Sequence, residues 1–118
     1  MATSKIGFYE HAEYFTVASD SEYLSAGAKL IRVGGTCTIL LNGLKNVPNG
    51  GWTTILTLPT GFTTTTMQTM DLLAVTDAAS TTSFQTIRFQ FSMDTLKVYN
   101  YGSLFTNGNW KPSIMYFV

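Results

Sequence analysis

Charge is scarce in this sequence: Asp, Glu, Lys and Arg make up 12% of its 118 residues, and seven bases cancel seven acids. That is about half the usual charged share. No run of Lys or Arg occurs, and nucleic acid needs a concentrated positive face for its phosphates, so it is not an expected partner. Histidine occurs once, as His11, flanked by Glu10 and Glu13. This is neither the HExxH of a zinc protease nor a set with partners for a three-ligand site. A Ser-His-acid triad would have to use the same histidine, and no GxSxG elbow positions a serine. Calcium loops of the EF-hand type and phosphate-cradling Gly-rich loops are also missing. No catalytic residue, metal site or cofactor is therefore assigned, and the chain is not expected to be an enzyme.

Cysteine also occurs once. Cys37 cannot form an internal disulfide, and between Thr36 and Thr38 it reads as a small buried apolar side chain. No segment approaches the roughly 18 apolar residues that span a bilayer, and MATSKIGFYEHAEYF lacks an uninterrupted apolar signal core. Neither membrane insertion nor a signal peptide is expected.

What is abundant is apolar and aromatic: 45% hydrophobic residues, 14% Phe, Trp and Tyr. A chain of this length fits one domain with a real core. Its exposed faces must be covered largely by Thr, Ser, Asn and Gln.

Alternation with a period of two, the mark of a strand, recurs along the chain. In the segment GGWTTILTLPTGF, Trp52, Thr54, Leu56 and Leu58 are expected on one face and Thr53, Ile55 and Thr57 on the other. Pro59 and Gly61 end that strand in a turn that Phe62 anchors. Upstream, Glu13 to Ala18 reads as a short strand, and Ser19 to Gly27 as a loop tethered by Tyr23 and Leu24. Ala28 to Val33 and Thr36 to Leu41 form a hairpin about Gly34-Gly35, with Cys37, Ile39 and Leu41 on one face. Asn42-Gly43 is a turn, and Leu44 to Val47 prolongs pairing beyond it.

Downstream, Thr63 to Thr66 is a loop or an exposed edge. Over Met67 to Thr76 a helix competes, since Met67, Met70, Leu73 and Ala74 fall at helical spacing, but its β-rich neighbours favour a strand. Asp77 to Thr82 is a loop. Ser83 to Ser92 alternates most cleanly, with Gln85, Ile87, Phe89 and Phe91 opposite Phe84, Thr86, Arg88 and Gln90. Met93-Asp94 turns the chain into Thr95 to Asn100, with Leu96 and Val98 inward. Tyr101 to Pro112 is a long connection. Ser113 to Val118 is apolar on both faces, as a central strand or one sealed under another subunit would be. The fold class is all-β: an antiparallel sandwich or barrel of about eight short strands.

Aromatic side chains in loops are the chemistry that stands out. Sugars present apolar CH faces that pack on Trp or Tyr rings, while amides and carboxylates take their hydroxyls. Trp110 lies in NGNWKP with Asn107 and Asn109, and Tyr99 and Tyr101 flank Asn100. With Asp94 these residues are the candidate saccharide site. The alternative is that Trp110 and Tyr101 cap the end of a barrel or pack between subunits. Trp52 reads as core or interface packing. A glycosidase would need two of the scattered carboxylates Glu22, Asp71, Asp77 and Asp94 about 5 to 10 Å apart.

The run VGGTCTILLNGLKNVPNGGWTTILTLPTGFTTT, Val33 to Thr65, resembles the C-terminal head domains of tail-fibre and baseplate receptor-binding proteins in phages and prophages of Gram-positive bacteria. IRFQFSMDTLKVYN is similar to the companion hairpin of such heads, and NGNWKPSIMYFV to their closing strand. Thr63 departs from the pattern, where the family commonly has Pro, and no coiled-coil or collagen-like shaft precedes the head. The resemblance implies a homotrimeric β head at the virion tail tip or baseplate, made in the host cytoplasm. It also implies contacts with other tail or baseplate proteins and with host cell-wall polysaccharide or teichoic acid. Residues 1–12 are then a stem remnant or linker, with Phe8 and Tyr9 the first contacts with a core or a neighbouring subunit. The alternative function is a structural tail or baseplate module that trimerises without holding a sugar.

Overall fold

The computed structural model describes residues 12–17, 22–75, 84–106 and 109–118. Phe8, Tyr9, His11, Asp77, Asn107 and the loop expected at 77–82 lie outside them. Among the described residues eight antiparallel strands form a β-sandwich: β1 (Ala12–Val17), β2 (Ala28–Val33), β3 (Thr36–Leu41), β4 (Trp52–Thr57), β5 (Thr64–Val75), β6 (Phe84–Met93), β7 (Thr95–Asn100) and β8 (Ser113–Phe117). The first sheet runs β1-β2-β3-β8 and the second β4-β7-β6-β5. Among the described residues there is no helix, so 67–75 is strand, as its neighbours favoured.

Alternation builds the core. Leu30, Cys37, Ile39, Leu41, Ile114 and Tyr116 point inward from the first sheet, and Ile87, Phe89, Phe91, Leu96 and Val98 from the second, all buried. The two layers meet where Phe91 stacks on Tyr116, with ring centroids 4.0 Å apart and planes 13° from parallel. The Tyr116 hydroxyl donates to the Phe62 carbonyl at 2.9 Å, so its buried oxygen has a partner. Burial pushes the Tyr116 phenol far above its ordinary pKa and raises the Cys37 thiol as well. Phe62 itself is held by the turn after β4, where its N–H donates to the Pro59 carbonyl at 2.9 Å and Gly61 takes φ +92°. That positive φ is the conformation glycine adopts without a Cβ clash.

Two expectations are corrected. The strict alternation of β4 fails because the register shifts between Thr54 and Leu56, and Ile55 and Leu56 are both buried. A bulge places two residues against one, so the inward face passes from Thr53 and Ile55 to Leu56 and Leu58. Trp52 and Thr54 therefore face out while Leu56 and Leu58 face in. Second, β8 is an edge strand and not a central one; its outward residues Met115 and Phe117 are 59% and 62% exposed. Of the two readings of Thr63 to Thr66, the exposed edge holds: Thr64 to Thr66 belong to edge strand β5 with Thr65 and Thr66 exposed, and Thr64 alone of them is buried.

The edge of β8 is closed by a side chain. A register shift between Thr64 and Gln68 bends β5 toward the first sheet. There the Gln68 amide copies a strand: its Nε2 donates to the Phe117 carbonyl at 2.6 Å and its Oε1 accepts from the Phe117 N–H at 2.7 Å. The same Nε2 donates to Thr64 Oγ1 at 2.9 Å, which ties the bent segment together. An unpaired strand edge is a template for another chain, and this amide occupies part of it. Gln68→Ala should lower the unfolding free energy by about 1 kcal/mol in urea titration and raise light scattering on storage. Unchanged stability and scattering would refute the edge-closing role.

Candidate functional site

Tyr99, on β7, points out of the second sheet, and Tyr101, one residue past the end of the strand, lies beside it. Asn100 between them points in and is fully buried. Its Nδ2 donates to the carbonyls of Val47 (3.0 Å) and Ser103 (2.7 Å), and its Oδ1 accepts from the Gly102 N–H (2.9 Å) and Gln85 Nε2 (2.5 Å). All four bonding positions of the amide are used. Gly102 leaves the room for this, because a Cβ there would lie 2.8 Å from Gln85 Cδ. The loops on either side of the tyrosines are thus fixed from below.

The register then brings distant residues into line. Trp52 lies opposite Tyr99, Tyr99 opposite Arg88, and Arg88 opposite Asp71, one row across all four strands. The Trp52 and Tyr99 rings meet edge to face at 5.5 Å, and Tyr99 and Tyr101 lie 4.8 Å apart with planes at 45°. Arg88 Cζ stands 5.6 Å from the Tyr101 ring centroid. Arg88 Nε and Nη2 donate to Asp71 Oδ1 and Oδ2 at 2.7 and 3.0 Å. The guanidinium holds the Asp71 carboxyl below its ordinary range, and the carboxylate in turn raises Arg88. Trp52 is 45% and Tyr101 53% exposed, so ring faces and hydrogen-bonding groups together front solvent.

The sequence-expected residues divide. Tyr99 and Tyr101 stand in this row. Trp110 does not: it is half-buried on the inner side, tilted on Phe89 at 6.1 Å and edge-on to Phe105 at 5.8 Å. Its polar neighbours in NGNWKP gave it the look of an exposed ring, while its large apolar area is better placed on the core. Asn109 is exposed beside it, and Asn107 lies outside the described residues. Asp94 sits at the β6–β7 turn, where it lines a separate depression of about 340 Å³ with Thr63, Thr64, Thr65 and Met93. At about 3.3 Å per residue it is roughly 17 to 20 Å from the Asp71 row, beyond the spacing of a facing carboxylate pair.

The saccharide candidates read from the sequence do not include Trp52, Arg88 or Asp71, and Asp71 figures there only as one of the scattered carboxylates. The clean alternation of 83–92 already set Arg88 on the outer face, but nothing in the spacing put residues 52, 71, 88 and 99 side by side. Asn100→Ala should remove about 2 kcal/mol of stability in urea unfolding, since it deletes four hydrogen bonds and leaves the Gly102 N–H without its acceptor, while the Val47 and Ser103 carbonyls keep Phe105 N–H and Gln85 Nε2. An effect under about 1 kcal/mol would show that the loops hold without it.

No family model matches this chain, and no curated protein or solved structure matches it.

Proposed function

We propose that this domain is a non-enzymatic receptor-binding head that holds host cell-surface saccharide on the outer face of its second sheet. The observation that carries the reading is the exposed run of Trp52, Tyr99 and Tyr101 beside the Arg88–Asp71 pair. A pyranose ring would lay its CH face on the indole and phenol rings while its hydroxyls meet the pair. Such a flat contact is weak singly. Several linked copies turn later contacts into intramolecular events and raise avidity by about 10² to 10⁴. Placement at the tail tip or baseplate of a phage or prophage of Gram-positive bacteria rests on the resemblance of the Val33 to Thr65 run and the later hairpin. The chain's near neutrality agrees with a partner recognised by uncharged hydrogen bonding. Trp52→Ala and Tyr101→Ala should each weaken binding to host wall polysaccharide about tenfold while the circular dichroism spectrum is kept. Full binding by the double variant would sink this placement.

A second reading, a structural tail module that assembles without a sugar, is favoured by the outer face of the first sheet. Three cross-strand rows cover it: Ala12, Val33, Thr36, Phe117; Tyr14, Ile31, Thr38, Met115; and Thr16, Lys29, Leu40, Ser113. Lys29 is the one charged residue among them, and Tyr14 is 69% exposed. A shallow, mostly apolar depression of about 230 Å³ lies there among Tyr14, Lys29, Ile31, Thr38 and Leu40. A further copy of the chain fits such a face, since it brings little charge to repel or strand, and the homotrimer is the assembly we propose. Sedimentation equilibrium at micromolar concentration should give a trimer, and Met115→Lys a monomer. A monomeric wild type refutes the assembly, and a trimer inert toward every wall fraction favours the structural module.

A further inference from the structure

The charges on the outer face of the second sheet bear on which saccharide it takes, an inference that rests on the proposed function. Its outward positions carry three charged side chains: Arg88 and Asp71 in the aromatic row, and Lys97 one row along, opposite Thr54 and Gln90. An exposed arginine among aromatic rings ordinarily reads phosphate or carboxylate, because its planar fork of donors matches two oxygens at once. Here that fork is taken. Asp71, held directly across from Arg88 by the β5–β6 register, accepts both the Nε and Nη2 bonds at 2.7 and 3.0 Å. The Tyr101 ring lies against the guanidinium, 5.6 Å from its Cζ, and limits the approach of a second anion from that side.

What the pair offers a ligand is therefore different from a free arginine. The guanidinium keeps N–H groups that Asp71 does not use, and the carboxylate oxygens keep lone pairs. Donors and acceptors stand side by side with no net charge, and adjacent ring hydroxyls, each both donor and acceptor, satisfy both. A phosphate or uronate would meet the Asp71 carboxylate at the same place and be repelled. Lys97 contributes one ammonium on a flexible stem, without the fork that fixes an anion's orientation.

We infer that Asp71 is the specificity-determining residue of this face: by occupying Arg88 it turns the site away from anionic polymers and toward uncharged pyranose polysaccharides.

The test uses the purified full chain in the assembly it forms. Binding is measured to a panel of neutral hexose and N-acetylhexosamine polymers, to a polyglycerol phosphate and to a polygalacturonate, at about 0.05 M and about 0.5 M salt. Wild type should hold a neutral polymer with little change between the two salt levels and leave both polyanions unbound. Asp71→Asn, nearly isosteric, should gain polyanion binding of about tenfold or more at low salt. That gain should vanish at high salt and in Asp71→Asn/Arg88→Gln, and persist in Asp71→Asn/Lys97→Gln. A wild type that prefers a polyanion, or an Asp71→Asn variant with unaltered preference, overturns the inference and leaves saccharide adhesion standing. Absence of binding to every polymer, neutral or charged, overturns the adhesion reading and this inference with it.

Discussion

Tyr116 is the side chain on which the sandwich closes. Its ring lies flat against Phe91 across the interlayer gap, and its hydroxyl reaches the Phe62 carbonyl in the turn that follows β4. A stacked pair of this kind adds about 0.5 to 1.5 kcal/mol to the area it buries. The larger effect is geometric. A buried phenol must find an acceptor, and the one acceptor it uses belongs to a turn fixed by Pro59 and Gly61. The spacing of the sheets, the exit of β4 and the entry to β5 are thereby set by one residue of the last strand. Arg32 supports the same seam from the sheet's end, since its Nη1 donates to the Gly61 carbonyl at 2.7 Å.

Once the inner faces are committed, the period of two leaves each sheet an outer face whose composition is free to serve something else. The two differ. The first carries Tyr14, Ile31, Val33, Leu40, Met115 and Phe117 with a single charge. The second carries Thr54, Thr69, Thr86, Gln90, three charges and the aromatic row, with Leu73 and Phe84 exposed toward its far end. They lie on opposite sides of one core about 10 Å thick, so covering one leaves the other open. In the proposed head this lets assembly and adhesion coexist on a small domain.

Much of the strand plan was legible because local chemistry decided it. Gly34-Gly35 marks the β2–β3 hairpin, and 83–92 alternates so regularly that β6 and its inward Ile87, Phe89 and Phe91 follow at once. The bulge in β4 was hidden because Ile55 and Leu56 are both apolar, and alternation assigns such neighbours to opposite faces unless an extra residue intervenes. The position of β8 was misread for a related reason: exposed Met115 and Phe117 imitate a strand buried on both sides. Trp110 takes the packing alternative its sequence left open, against Phe89 and Phe105, while Trp52, read as core or interface packing, stands 45% exposed because the bulge in β4 turns it outward. The row itself, ordered 52, 99, 88, 71, depends on which strands pair and in what register, and neither is written in any one segment.

In the proposed head, rigidity is what lets such a row hold a sugar. Ring stacking on a flat sheet gains little per contact, so any freedom the rings must lose on binding would consume it. Here the cost falls on folding instead. Asn100 fastens the loops beneath the tyrosines, Trp52 leans edge-on against Tyr99, and Arg88 is held between Asp71 and the Tyr101 ring. A ligand meeting this face finds its aromatic and hydrogen-bonding groups already ordered. Under the proposed function, a row so fixed discriminates by the arrangement of hydroxyls more than by flexibility, which is the property a surface made of few charges and many neutral donors and acceptors requires.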